Sequence, residues 1–157
     1  MASSINDEFG TAGWKPLYLD IKDDYPRALA ALLDFDVLLV NPVFDGMNLV
    51  AKEGAAVNQR DGVVLLSVNA GAYSEMRDHV IPINPLDVVE TADAIHRALA
   101  MPAKARQKMS QGAKAVVHEN TSFKWLMRQI QNMRRVERAR RPAAAERQPD
   151  PSYLRLL

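Results

Sequence analysis

The sequence contains no cysteine, which excludes a disulfide framework, a cysteine nucleophile and a thiolate ligand for a metal. No apolar run approaches the ~20 residues that a membrane-spanning helix needs. Neither sign of charge dominates, because 20 Lys and Arg residues stand against 19 Asp and Glu residues. No overall field therefore attracts nucleic acid or a membrane. The opening residues have neither the basic nor the apolar segment of a secretory signal, and we expect a cytoplasmic protein that needs no metal.

What the sequence does contain is enough apolar material for one core. Apolar residues make up 48% of the 157 and charged residues 25%, which is the balance of a single globular domain. Residues 1–13 are mostly small or polar, and we expect a flexible N-terminus there. Residues 139–157 lack helical periodicity and carry late prolines, which indicates a tail. The folded part is therefore expected at residues 14–138.

Short apolar runs predict three β-strands, at residues 36–40, 63–67 and 80–83. Their β-branched residues and short length are typical of strands in a parallel sheet, and the first two are expected to be buried on both faces. Residues 16–20 form a further strand-like run. Helical spacing of apolar residues separates the strands, at residues 25–33, 48–57 and 73–77. This alternation predicts an α/β fold of three layers, a small parallel sheet with helices on its faces.

Three helices are expected after the last strand. Asn84 and Pro85 have the residue types of a helix N-cap and first turn, and they predict a helix beginning there. Its apolar stripe is expected to consist of Val89, Ala92, Ile95 or His96, and Leu99. The next helix is expected from Pro102 to about His118, and Thr121 or Ser122 is expected to cap the last one. Three strands are few for a nucleotide-binding doubly wound sheet, so the chain corresponds to the later part of a larger domain.

The chemically informative stretch lies beyond the first of these strands, where open α/β sheets bind ligands. Asp45 and Gly46 predict a tight loop, in which Gly46 can take a positive φ or let a ligand approach closely. The following helix N-terminus offers free N–H groups that attract phosphate. Glu53 leans back toward that end. A carboxylate in the loop and another in the first turns suit a nucleotide-sugar, but from these residues alone a plain turn aspartate and a first-turn glutamate are the more frequent explanation.

The full string from Asn41 to Glu53, NPVFDGMNLVAKE, strongly resembles the donor-binding segment of the trehalose-6-phosphate synthase family. These are retaining glycosyltransferases with two facing Rossmann-like domains. The similarity continues through residues 65–72, which resemble the family's next strand and its Ala-Gly-Ala loop. It continues again through residues 80–102, which resemble the strand and helix after that. The resemblance spans about residues 14–133 and identifies the fold as the latter part of a donor-binding domain with C-terminal helices.

The resemblance assigns roles residue by residue. It implies that Asp45 holds the glucose hydroxyls of a nucleotide-sugar and that the backbone at Met47 and Asn48 completes the sugar contact. The N–H groups of Leu49 and Val50 are implied to meet the diphosphate. Glu53 is implied to bind the ribose. The donor is UDP-glucose or GDP-glucose, a choice that these residues leave open, and no cofactor, metal ligand or catalytic residue is implied in this stretch.

The resemblance also implies what these 157 residues do not supply. The family's first domain, which contacts the acceptor glucose 6-phosphate, has no counterpart here, and neither do the Arg and Lys that neutralise the diphosphate. We therefore expect the C-terminal part of a glucosyltransferase that makes trehalose 6-phosphate and is inactive alone. The alternatives are a related transferase with another sugar-like acceptor, a pseudo-glycosyltransferase and a non-catalytic nucleotide-sugar-binding fragment. The fragment is expected to pair with a separate first-domain chain, and a homo-oligomer is the other partner considered.

Other residues that could bind a metal, act as a nucleophile or bind nucleic acid show no clear motif for such a role. The three histidines, His79, His96 and His118, share no metal-ligand spacing, and no serine lies in a nucleophile-elbow context. A cluster of basic residues lies at the end of the last predicted helix. Positive charges are favourable at a helix C-terminus, and we interpret the cluster as a solvent-exposed face of that helix. Aromatic interleaving is absent, so we expect no nucleic-acid binding. The cluster consists of Arg134, Arg135, Arg138, Arg140 and Arg141.

Overall fold

Three parallel strands form a small sheet in the computed structural model, which describes residues 1–140. The strands are β1 (Val37–Val40), β2 (Val63–Ser67) and β3 (Ile81–Ile83), in the order β1-β2-β3. Val37 pairs with Val63, and Leu65 pairs with Ile81. The three predicted strands and their parallel pairing are therefore confirmed. The end of the predicted tail, residues 141–157, lies outside the described residues.

Seven helices and one 3₁₀ turn surround the sheet in the described part of the chain. The helices are α1 (Ala2–Phe9), α2 (Tyr25–Leu33), α3 (Leu49–Val57), α4 (Tyr73–Met76), α5 (Val88–Leu99), α6 (Ala103–Glu119) and α7 (Ser122–Arg140), with the 3₁₀ turn at Arg77–His79. The predicted helices at residues 25–33, 48–57 and 73–77 are confirmed within one residue of their ends. The helix predicted from Pro102 to His118 is also confirmed, and Pro102 is its N-cap.

Alternate residues of β2 face two separate apolar clusters. Val64 and Leu66 pack with α3, α4 and α6 on one face of the sheet. Val63 and Leu65 pack with α5 on the other. All five residues of β2 are buried, so the predicted three-layer α/β fold is confirmed. The first strand differs from its prediction of burial on both faces: β1 is one of the two edge strands, and Leu39 is 42% exposed, because the neighbouring helices leave part of its face uncovered.

The helix after β3 begins later than predicted. Asp87 caps α5, since its carboxylate accepts the Glu90 N–H at 2.8 Å. Asn84 instead accepts the Leu86 N–H at 3.1 Å, in a turn that precedes the helix. The prediction of a cap at Asn84 was therefore wrong, because an Asx turn and a helix cap use the same residue type. An Asn-Pro pair is compatible with either an Asx turn or a helix N-cap.

The face that α5 buries is also different from the predicted stripe. The buried residues are Thr91, Ala94 and Ala98. Val89 and Leu99 are exposed, at 72% and 62%. Ile95 is the one member of the predicted stripe that packs, partly buried, against the core cluster on this face. The buried face is therefore centred on Thr91, Ala94 and Ala98, about one residue away from the predicted stripe.

The strand predicted near the N-terminus is wrong, whereas the flexibility expected of residues 1–13 stays a prediction. Residues 16–20 form no strand; Leu17 instead bonds both its N–H and its carbonyl to the Asn6 side chain, each at 2.9 Å. Residues 1–13, expected as a flexible N-terminus, contain α1, although that helix buries none of its residues. A paired side-chain amide holds this segment where a sheet partner was expected.

The last helix is capped as predicted but presents much of its apolar surface outward. The Thr121 hydroxyl accepts the Lys124 N–H at 3.3 Å. Phe123 and Trp125 are exposed, at 69% and 61%. The basic residues Arg134, Arg135 and Arg138 are exposed as well. No helix within residues 1–140 is both long and apolar enough to cross a membrane.

Candidate functional site

Two loops lie side by side beyond the carboxyl ends of β1 and β2. The 41–48 loop follows β1, and the 69–72 loop follows β2. The Gly71 N–H donates to the Asp45 carbonyl at 3.0 Å, and the Ala72 N–H donates to the Met47 carbonyl at 2.7 Å. The Asp45 N–H donates to the Asn69 carbonyl at 3.3 Å. The loop that carries the predicted site is thus hydrogen-bonded along its length to a second loop.

The contact between the loops continues the parallel sheet after a gap. Val40 pairs with Leu66 at the end of the strands, and Asp45 forms a parallel bridge with Ala70. The 41–48 loop therefore uses one residue more than its partner to cover the same distance. That extra residue bulges the chain before Asp45.

The Asp45 carboxylate is held by two donors from its own loop. Oδ1 accepts the Met47 N–H at 2.9 Å, and Oδ2 accepts the Asn48 side-chain amide at 3.0 Å. The Met47 N–H, followed by the Asn48 amide, lowers the pKa of Asp45 below the ordinary aspartate value. Asp45 is therefore charged at neutral pH, and a carboxylate in that state accepts hydrogen bonds from hydroxyl groups.

Asn48 joins this loop to the helix that follows. Its side-chain oxygen accepts the Ala51 N–H at 3.0 Å and caps α3, while its amide reaches Asp45. Its φ is +72°, one of two positive values among the non-glycine residues described, and Asn tolerates that region better than most residues. Gly46, where a positive φ was considered, does not have one. The sequence interpretation placed the unusual backbone two residues too early.

The start of α3 presents unsatisfied backbone donors. Within the described residues, the N–H groups of Leu49 and Val50 have no hydrogen-bond partner, whereas that of Ala51 is capped. The Leu49 and Val50 side chains are exposed. First-turn N–H groups and the helix dipole together attract an anion such as phosphate. This end of α3 therefore suits a negatively charged ligand.

Glu53 lies about one turn further along α3 and differs from its neighbour. Lys52 pairs with Glu75 of α4, with Nζ 3.0 Å from Oε2. Glu53 is half-buried, and its side chain has no hydrogen bond or ion pair in the described part of the chain. One turn rises about 5.4 Å, so the Glu53 side chain lies a short distance along the helix from the unpaired N–H groups of Leu49 and Val50. Its carboxylate is available to hydroxyl donors.

The structure thus brings all six predicted residues into one segment. Asp45, Met47 and Asn48 form the loop, Leu49 and Val50 form the first turn of α3, and Glu53 forms the next turn. A cavity of about 360 Å³ opens between the start of α7 and two of these residues, Met47 and Leu49, while Asp45, Asn48, Val50 and Glu53 do not line it. Its lining includes Met47, Leu49, Lys52, Glu75 and Trp125.

The contribution of the 69–72 loop was underestimated from sequence. The sequence assigns Asn69 and Gly71 no role beyond the resemblance of residues 65–72 to the family's next strand and its Ala-Gly-Ala loop. The signal that could have found them is the Asn-Ala-Gly run directly after a buried strand, because parallel strands end at the same edge of a sheet. Two loops at one edge are neighbours.

No metal site accompanies this arrangement in residues 1–140. Those residues contain no group of three His, Asp or Glu side chains placed to hold an ion. The histidines lie apart: His79 ends the 3₁₀ turn, His96 lies on α5 and His118 on α6. The chemistry that the site offers is therefore that of backbone donors and two carboxylates.

Comparison with known proteins places the chain among glycosyltransferases. The model of Glycosyltransferase family 20 matches residues 1–135. The trehalose-6-phosphate synthase of Klebsiella pneumoniae is 39% identical over 138 residues, which are 86% of this chain and 29% of that protein. The chain therefore spans about three tenths of the length of this relative.

Solved structures agree with that match. An E. coli structure with UDP-2-fluoro glucose bound has a TM-score of 0.75 and 36% identity, over 83% of this chain and 30% of that one. A UDP-forming α,α-trehalose-phosphate synthase from Burkholderia xenovorans in complex with glucose-6-phosphate has a TM-score of 0.75 and 32% identity, over 85% and 30% of the two chains.

Proposed function

The chain belongs to glycosyltransferase family 20, and from that premise we propose that it forms the nucleotide-glucose-binding part of a trehalose-6-phosphate synthase. Such an enzyme transfers glucose, with retention of configuration, from a nucleotide donor to glucose 6-phosphate. The residues that contact the acceptor, and the Arg and Lys that neutralise the diphosphate, then lie outside these 157. A first domain, on the same polypeptide or on a separate chain, supplies the acceptor contacts, and the Arg and Lys lie upstream of the part that this chain matches.

The observation that carries the proposal is the order of the groups along one short segment. A charged carboxylate at Asp45 is followed by the unpaired N–H groups of Leu49 and Val50, and then by the unpaired Glu53 carboxylate. A nucleotide-sugar presents hydroxyls, then phosphates, then hydroxyls in the same order. Carboxylates accept hydroxyl protons, and a helix N-terminus binds phosphate.

We favour UDP-glucose as the donor, since a relative of similar structure was solved with UDP-2-fluoro glucose. Glucose 6-phosphate is the proposed acceptor, because another relative was solved with that compound. GDP-glucose is the alternative donor to be compared. The chain's residues touch the sugar and phosphates, which the two donors share.

The proposal is tested by NMR-monitored titration of the ¹⁵N-labelled chain with UDP, UDP-glucose and GDP-glucose, a method that measures millimolar as well as tighter dissociation constants. Glu53→Ala is expected to weaken UDP and UDP-glucose alike, because Glu53 serves the ribose. Asp45→Ala is expected to weaken only UDP-glucose, because Asp45 serves the hexose. Each loss is about tenfold, the value of one charge-assisted hydrogen bond.

An exposed carboxylate outside the site provides the matched control. Asp93→Ala, on the exposed face of α5, is expected to leave both affinities unchanged. If Asp45→Ala and Glu53→Ala bind UDP and UDP-glucose as tightly as the parent does, the two carboxylates are an ordinary turn residue and an ordinary helix residue, and the proposal is wrong.

A further inference from the structure

The 69–72 loop shapes the 41–48 loop without sharing its proposed contacts. We propose that Asn69 and Gly71 are positioning residues, which hold Asp45 and Met47 in place for the hexose of the donor. This inference rests on the proposed function. It assigns the specificity for sugar over bare nucleotide to residues that do not touch the sugar.

Asn69 connects the end of β2 to the 41–48 loop through hydrogen bonds. Its N–H donates to the Ser67 hydroxyl at 3.2 Å, and Ser67 is completely buried at the end of β2. Its side-chain amide donates to the Val43 carbonyl at 3.0 Å, and its carbonyl accepts the Asp45 N–H at 3.3 Å. One residue thus fixes the 41–48 loop at two points, on both sides of Phe44.

Gly71 sets the distance between the two loops. Its N–H donates to the Asp45 carbonyl at 3.0 Å. A Cβ atom at Gly71 would collide with the Gly46 carbonyl and would lie 3.2 Å from the Met47 Cα. Both obstacles are backbone and cannot rotate away, so any side chain here forces the loops apart. The displacement falls on the residues that flank and include Asp45.

The part of α3 that carries Glu53 is held by the core as well as by the Asn48 cap. Ala51 and Ala55 of α3 are 0% and 4% exposed and belong to the core cluster on one face of the sheet. Gly54 is buried as well, against Leu38 of β1. Glu53 therefore keeps its place when the loops separate. A substitution at Gly71 or Asn69 is therefore expected to move Asp45 and Met47 but not Glu53. A general loss of stability would affect both ends of the site, so this difference distinguishes a positioning role from a structural one.

The experiment measures dissociation constants for UDP and UDP-glucose by the same NMR titration, on Gly71→Ala and Asn69→Ala. We expect Gly71→Ala to weaken UDP-glucose about tenfold and Asn69→Ala about threefold, while UDP changes less than twofold for both. These factors correspond to the loss of a charged and of a neutral hydrogen bond. Gly13→Ala is the matched control, because a Cβ at Gly13 meets nothing within 4 Å.

A double variant tests whether Gly71 acts through Asp45. If it does, Asp45→Ala combined with Gly71→Ala loses much less UDP-glucose affinity than the two single losses added together, because both remove the same contact. Fully additive losses would contradict the positioning role. Asn69→Ala, which only shortens an exposed side chain, decides the question if Gly71→Ala does not fold.

The outcomes separate this inference from the proposed function. A parent chain that binds neither UDP nor UDP-glucose would overturn the proposed function, and the donor role of these residues with it. A parent that binds both, with variants that lose UDP and UDP-glucose equally or lose neither, would overturn only the positioning role. Selective loss of UDP-glucose supports it.

Discussion

Asp45 and Asn48 hold each other in place: the Asn48 side-chain amide donates to Asp45 Oδ2 at 3.0 Å while its oxygen caps the Ala51 N–H. One side chain therefore uses its donor for the loop and its acceptor for the helix. The orientation of a charged carboxylate and the start of α3 are coupled through a single residue. The first two predictions below follow from this coupling.

Replacing Asn48 by alanine is expected to destabilise the fold by about 1–2 kcal/mol. The change removes the cap of α3, and it places a residue with little tolerance for positive φ at +72°. Thermal or denaturant unfolding of the chain measures the loss. Asn48→Gly, which relieves the backbone but also lacks the cap, is expected to lose less; equal stability of Asn48→Ala and the parent would contradict the coupling.

The pKa of Asp45 is expected to rise in the Asn48→Ala variant. In the parent, the Met47 N–H and the Asn48 amide lower that pKa, so the carboxylate stays charged until the pH falls below the ordinary aspartate value of about 3.9. The stabilisation that the charge gives is present above that value and is lost as pH falls through the lower, folded-state pKa. A ¹³C NMR titration of the Asp45 carboxyl in both proteins measures the shift, and identical titrations would contradict it.

Lys52 and Glu75 tie α3 to α4, and reversing one charge is expected to be rescued by reversing the other. The Lys52 side chain is 15% exposed and that of Glu75 is 38% exposed, so the pair lies at a partly solvated position worth at most about 1 kcal/mol. Lys52→Glu is expected to lower the unfolding temperature. The double reversal with Glu75→Lys is expected to restore most of it, and purely additive losses would argue against the pair.

The 157 residues alone are expected to show no measurable glucosyl transfer. The acceptor contacts and the cations that stabilise the leaving diphosphate lie elsewhere under the proposed function, and a lost stabilising donor of this kind costs about 2.7–4 kcal/mol. Product detection with UDP-glucose and glucose 6-phosphate tests this. A turnover rate in the usual enzyme range of about 1–10³ per second would require a site completed by copies of this chain.

The fold was largely predictable because its strands and most helices have local signals. β2 reads as one apolar run and is buried on both faces. β1 has the same kind of apolar run, but Leu39 is exposed, since burial depends on whether a helix covers that face of the strand. The orientation of α5 was missed because more than one run of its apolar residues has the helical period, and the tertiary contacts decide which run is buried.

The candidate site could be proposed from sequence as a list of residues, and its internal support could not. Asp45 and Glu53 were assigned roles because residues 41–53 resemble the family's donor-binding segment, since their positions alone are also those of an ordinary turn and helix residue. Asn48 has two roles because the donor and the acceptor of its side chain bind different partners. Asn69 and Gly71 form hydrogen bonds with residues more than twenty positions away in sequence. Such contacts leave no local pattern.

The most direct test of the central claim is the site-resolved shift of backbone amides when UDP and then UDP-glucose are added to the ¹⁵N-labelled chain. We expect UDP to shift the amides of Leu49, Val50 and Glu53, and UDP-glucose to shift those of Asp45 and Met47 in addition. Ligand shifts that leave Leu49 and Val50 unmoved, or that centre on another face of the molecule, would contradict the account.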